Sequence, residues 1–179
     1  MTSVYASNLV AERVELWTDL ITIQQTLSLH SKPWIVAGDF NQITSPSEHS
    51  SLSVQAISNG MIDFNDTILQ LGLFDLRFQG ILNTWSNKQL ASPIAKKLDR
   101  ALVNFEWISS YPNSSASFLA PEFSDHTPCL LNLATPLPIA GTKPFKFFNY
   151  LTKHPLFLTA VSEAWILAGI SSSTLSELS

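Results

Sequence analysis

Trp34-Ile35-Val36-Ala37-Gly38-Asp39-Phe40-Asn41 is an apolar run of strand length that stops abruptly in Gly-Asp-Phe-Asn. A run of this kind, uniform rather than alternating, reads as a strand buried on both faces. It delivers a carboxylate, Asp39, and two residues later a carboxamide, Asn41. If the strand continues that far, its two-residue period places both side chains on one side. Upstream, Val10 to Leu29 carries a wide helical stripe that includes Val10, Val14, Trp17 and Ile21, with Leu16, Leu20, Ile23 and Leu27 beside it. Ser31-Lys32-Pro33 breaks it. Helix, short break and buried strand together point to a mixed α/β fold in which a helix lies on a sheet.

The 179 residues suffice for one domain with a core, and 45% hydrophobic against 13% charged residues excludes a disordered chain. The formal net charge of −4 offers no global basic field for nucleic acid, although an enzyme that cuts nucleic acid need not be basic overall. The lone Cys129 excludes an internal disulfide framework and a four-thiolate zinc site, and in the run Cys129-Leu130-Leu131 it is expected as a small buried hydrophobe. Residues 1–6 have neither a basic leader nor a long apolar core, and no apolar run reaches the ~20 residues of a membrane span. The expectation is an intracellular protein, nuclear or cytoplasmic, neither secreted nor in a membrane.

Around the deciding strand, residues 3–6 form a candidate short strand and Asn8 a candidate helix cap. Residues 42–53 read as a polar loop ended by Asn59-Gly60. Met61 to Leu71 reads as a second helix with Gly72 past its end. Leu73 to Phe78 is expected as one strand, Asn83 to Asn87 as a short extended piece, and Lys97 to Val103 as an alternating strand. In that strand Asp99 shares its face with Ala101 and Val103, which predicts partial desolvation. Phe105 to Ile108 is expected as a helical turn, Ser117 to Ala120 as a strand, and Cys129 to Leu133 as another after the loop Ser124-Asp125-His126-Thr127-Pro128. The prolines at 136, 138 and 144 and Gly141 mark residues 135–144 as a linker. It separates a domain over 1–134 from an extension over 145–179, with a strand at 145–148 and a helix within 155–168.

Three acidic motifs thus stand at strand edges: Gly38-Asp39-Phe40-Asn41, Leu98-Asp99-Arg100 and Ser124-Asp125-His126. Singly, each has a plainer reading: a turn, an ion pair on an edge strand, a polar loop. Together they fit metal-assisted attack of water on a phosphodiester, for which Mg²⁺ takes hard oxygen ligands and keeps several waters. Asp99 and His126 form a candidate carboxylate–imidazole pair. Asp125 would face the metal, and Asp39 would orient or activate water with Asn41 donating an amide hydrogen bond.

These motifs in this order, with Thr84-Trp85 between the first and second, resemble the endonuclease/exonuclease/phosphatase superfamily. Val4-Tyr5-Ala6-Ser7-Asn8, Leu16-Trp17, Phe145-Lys146-Phe147-Phe148-Asn149 and Val161-Ser162-Glu163-Ala164-Trp165 resemble, more narrowly, the endonuclease portion of plant LINE-type retrotransposon proteins. The resemblance implies a sandwich of two sheets between helix layers, the α/β/β/α arrangement of deoxyribonuclease I. It implies Mg²⁺, with Mn²⁺ as a substitute, and DNA as partner. By resemblance Asp39, Asn41, Asp99 and His126 are catalytic, and Asp125 and Asp39 hold metal. Tyr5, Asn8 and Trp85 line the substrate pocket. Asn8 as a cap and Tyr5 as a core aromatic stay open as alternatives. The family's first half supplies an early Asn and a metal-binding Glu. Here the early glutamates are Glu12 and Glu15 on the expected helix and Glu48 in a polar loop, so the expectation is a truncated domain with weak or lost activity. The alternatives are a non-catalytic remnant that binds nucleic acid or protein, and a phosphatase or phospholipase of the same superfamily. Lys96, Lys97 and Arg100 are the basic groups expected near the site.

Overall fold

The computed structural model describes residues 1–135 and 152–167. The chain divides into two units, Met1–Pro136 and Leu137–Ser179. In the first, β1 (Thr2–Tyr5) leads through α1 (Val10–Leu27) to β2 (Ile35–Asp39), which pairs parallel to β1. After α2 (Asn59–Gln70) come the short strands β3 (Phe74–Asp75), β4 (Phe78–Gly80), β5 (Trp85–Ser86) and β6 (Ala95–Lys96). β7 (Asp99–Val103), α3 (Phe105–Ser110), β8 (Ser115–Phe118) and β9 (Cys129–Asn132) complete it. One sheet runs β1-β2-β7-β3, a second β4-β8-β9, and β5 and β6 form a two-stranded ribbon. In the second unit the described residues hold α4 (Phe157–Leu167).

The two faces of β2 explain the layering. Val36 and, across the strand pair, Leu102 turn to one side, where Trp17, Leu20, Phe40 and Phe64 of the helical layer close a core. Ile35, Ala37, Ala101 and Val103 turn to the other and meet Ala116 of β8. Helices, first sheet and second sheet thus stack as successive layers of an α/β sandwich. Trp17 stacks on Phe64 with centroids 4.7 Å apart. Gly38 has φ +140°, and a Cβ there would stand 2.0 Å from the Val4 carbonyl oxygen, so β1 approaches β2 this closely only past a glycine.

Several expectations are corrected. The buried face of α1 is Arg13, Trp17 and Leu20, while Val10 and Val14 are exposed. The helix ends at Leu27 because Ser28 adopts a left-handed conformation and returns its N–H to the last turn. Leu9, not Asn8, occupies the cap position of α1, and no side chain caps it. Asn59-Gly60 lies inside α2, whose N-cap is Ser58, its Oγ accepting from Met61 N–H. Gly72, at φ +63°, closes that helix as expected.

The single strand expected over 73–78 is two strands in different sheets. Leu76 donates its N–H to Ala101 O while the Arg77 carbonyl accepts from Ala116 N–H, so the chain crosses between sheets there. β8 begins two residues earlier than expected. Cys129 is exposed, because β9 is an edge strand and of its residues Leu131 alone is partly buried. β7 is an inner strand and Arg100 is 2% exposed, which removes the reading of Leu98-Asp99-Arg100 as a surface ion pair. Apart from Thr135, the expected linker lies outside the described residues, as does the strand expected at 145–148.

Candidate active site

β2 and β7 pair antiparallel with Asp39 directly opposite Asp99. Two carboxylates at facing positions of a strand pair repel each other, so the pairing costs stability unless something positive lies between them. His126 supplies it. Its Nδ1 is 2.9 Å from Asp99 Oδ2, and its Nε2 is 3.8 Å from Asp39 Oδ2. Burial pulls the His126 pKa down. The hydrogen bond and charge of Asp99, then the charges of Asp39 and Asp125, outweigh it and hold the imidazole above its usual range. Asp39 is shifted up, chiefly by burial and further by Asp99 and Asp125, against the Asn41 backbone hydrogen bond that stabilises its charge.

The strand does not extend to Asn41. That residue turns to φ +48°, a left-handed position that asparagine tolerates well. The tight turn, not a two-residue period, brings its side chain back to Asp39. Asn41 N–H donates to Asp39 Oδ1 (2.8 Å) and its Nδ2 to Asp39 Oδ2 (2.9 Å) and Ala6 O (2.7 Å). Both amide hydrogens are therefore engaged within the protein, and Asn41 fixes the Asp39 carboxylate and the turn after β1.

The loop that carries His126 is tied down from Thr84. The fully buried Thr84 accepts at Oγ1 from Leu98 N–H (3.0 Å) and Asp99 N–H (2.8 Å). Its carbonyl accepts from Thr127 N–H, and Ser86 N–H donates to Asp125 O. One threonine thus locks the Asp99 strand and the His126 loop in register. Asp125 is exposed, with Oδ2 accepting from Trp85 Nε1 at 2.9 Å. That hydrogen bond, aided by His126 and Lys88, holds its carboxyl below the usual range.

Asp39, Asn41, Asp125, His126 and Trp85 line one cavity of about 520 Å³, and Tyr5 and Asn8 form another part of its wall. Tyr5 is 88% exposed, which removes its reading as a core aromatic. Asp39, Asp99 and His126 each offer a ligand atom, all within 4.8 Å of one another. All eight residues expected at the site are thus gathered around this cavity, with Asp99 behind His126. Of the three basic groups expected there, Lys96 alone lines it. Lys97 and Arg100 are buried against Asp75 and Glu48. Glu48 also accepts from Thr44 N–H and Oγ1, so this ion network pins the loop after β2. Arg13 and Gln42 also line the cavity, and neither stands in one of the sequence motifs.

The sequence model of the endonuclease/exonuclease/phosphatase family matches residues 2–126, well over half of the chain. No curated protein matches. Among solved structures, the crystal structure of beta toxin 275-280 from Staphylococcus aureus aligns with a TM-score of 0.47 at 14% identity, over 69% of this chain and 45% of that one. The chain therefore spans less than half the length of that structure. With the family's sequence model running from β1 through His126, this chain belongs to the endonuclease/exonuclease/phosphatase family.

Proposed function

We propose that the domain is a divalent-metal-dependent phosphodiesterase of the endonuclease type, with DNA as its substrate. The observation that carries the reading is His126 wedged between cross-strand carboxylates at the wall of an open cavity. Asp99 holds Nδ1 and so turns Nε2 toward Asp39 and the cavity. The raised pKa favours the protonated imidazole, the form that can donate toward a phosphoryl oxygen. Asp39, held by Asn41, orients and deprotonates the attacking water. Its raised pKa makes it a stronger base than an ordinary aspartate.

The donor set fits a hard cation. Asp39 and Asp125 add carboxylate charge to one wall, and their repulsion, which adds to the burial that chiefly raises the Asp39 pKa, is what a cation relieves. Asp39 and Asp125 would hold it. When bound, Mg²⁺ or Mn²⁺ supplies charge stabilisation to the phosphoryl oxygens. Glu48 is engaged by Arg100 and Thr44, and Glu12 and Glu15 are exposed on α1, so none of these three early glutamates joins the aspartates. The cation is then loosely held and turnover is slow.

The resemblance to plant LINE-type retrotransposon endonucleases supports DNA as the substrate and residues 1–134 as the family domain, followed by an extension. A substrate panel tests the reaction class: supercoiled plasmid, a phosphomonoester and sphingomyelin, each with Mg²⁺. Nicking of plasmid alone is the expected result. Turnover confined to either of the others would replace the reading with a phosphatase or phospholipase.

A further inference from the structure

The cavity wall carries a buried cation that the chemistry above leaves unused. Arg13 is 7% exposed and lines the cavity. Its Nη1 donates to Ser7 O (3.0 Å) and Asn8 O (2.8 Å), and its Nη2 to Gln42 Oε1 (3.1 Å). Gln42 is itself fixed: its Nε2 donates to Ile43 O, and Gly60 of α2 packs so closely that a Cβ there would stand 2.7 Å from Oε1. The guanidinium is thus locked in place by three neutral acceptors.

Arg100 provides the contrast. It is as deeply buried, and both Glu48 and Asp75 neutralise it. Among the described residues no carboxylate pairs with Arg13, and its Nε–H and second Nη2 hydrogen meet no protein acceptor. Burial depresses its pKa. A desolvated cation without an anion is costly to keep, and neutral carbonyls offset only part of that cost. The guanidinium fork matches the oxygens of a phosphate, and the other cation of this wall, Lys96, lies over the Trp85 ring. Asn8, beside Arg13, is exposed on the same wall, and its side-chain amide has no hydrogen-bond partner among the described residues.

We propose that Arg13, oriented by Gln42 and flanked by Asn8, is a phosphate-binding subsite that anchors the substrate backbone in this cavity. The subsite rests on the phosphodiester reading and adds to it the group that offsets repulsion between a polyanion and three aspartates.

The test is a titration of the wild-type chain with inorganic phosphate in EDTA, at constant ionic strength, so that no hydrolysis is involved. The chain has three arginines, so ¹⁵N-arginine labelling yields three Nε–H signals. The Arg13 signal is expected to shift saturably while Arg77 and Arg100 stay in place. Arg13→Gln is expected to weaken phosphate binding at least about tenfold, with Arg13→Lys retaining part of it. An Arg13 signal that phosphate leaves unmoved overturns the proposal, and so does a folded Arg13→Gln chain with wild-type affinity. Should Arg13→Gln fail to fold, the wild-type titration decides alone. A chain that binds phosphate at Arg13 but nicks nothing would sustain the subsite and count against hydrolysis; nicking with a silent Arg13 would do the reverse.

Discussion

His126 stands between a carboxylate at hydrogen-bonding distance and another almost an ångström farther away, and this inequality sets its protonation. In the metal-free chain its imidazole, followed by NMR, is expected to titrate above 6.5. Asp99→Asn removes the charge behind the hydrogen bond and the largest of the upward charge effects, so the midpoint should fall; an unchanged midpoint would show that the Asp99 charge does not hold the proton on the ring. The raised value also has a sign for stability. The contribution is fully present below the unfolded pKa near 6.5 and is lost as pH rises through the folded one. Asp39, Asn41, Asp99, Asp125 and His126 were legible because each lies in a short polar motif at the end of an apolar run. Arg13 was not, because a charged residue on a helix reads as solvent-facing. Its burial depends on three acceptors supplied by the turn after β1 and the loop after β2.

The elements that carry these residues are short, and side-chain hydrogen bonds hold them together. Asn104, between β7 and α3, is 4% exposed. Its Oδ1 accepts from Trp107 N–H and Trp34 N–H, and its Nδ2 donates to Leu29 O and Lys32 O. It caps α3 and ties the entry to β2 to the exit of β7. Asn104→Ala should cost about 2–4 kcal/mol in urea unfolding, since it strips a cap and leaves buried backbone groups unpaired; a loss under about 0.5 kcal/mol would contradict this. Glu48 predicts an acid limb. Burial alone would raise its pKa, but Arg100 and Thr44 hold it below the ordinary 4.5. Its stabilisation is present above pH 4.5 and lost as pH falls through the lowered value. Unfolding free energy measured against pH should show that acid-side decline, and Glu48→Gln should flatten it. The buried strand was readable from its uniform apolar run and both long helices from their apolar stripes, although the stripe of α1 misplaced Val10 and Val14, which are exposed. The break at 76–77 was not, because Leu73 to Phe78 alternates like one strand and the change of sheet depends on partners, Ala101 and Ala116, far along the chain.

For the molecule as a whole, one strand explains the architecture. β2 is buried on both faces, so it needs helices on one side and a second sheet on the other. The mixed α/β class was therefore legible from the helical stripe and the buried strand that follows it, and the sandwich from the family resemblance, whereas the strand order β1-β2-β7-β3 was not, since β7 enters beside β2 after more than half the described chain has passed. The same pairing sets Asp39 opposite Asp99 and brings residues 60 positions apart into one candidate centre. The central claim is that this centre hydrolyses phosphodiester bonds with a bound cation. Its most direct test is nicking of supercoiled plasmid by the folded chain with Mg²⁺, with and without EDTA, beside a folded His126→Ala variant. The account predicts slow nicking that EDTA abolishes and that His126→Ala lowers by about a hundredfold or more. Nicking that survives in His126→Ala, or no nicking by the folded wild-type chain at any Mg²⁺ or Mn²⁺ concentration, would contradict it.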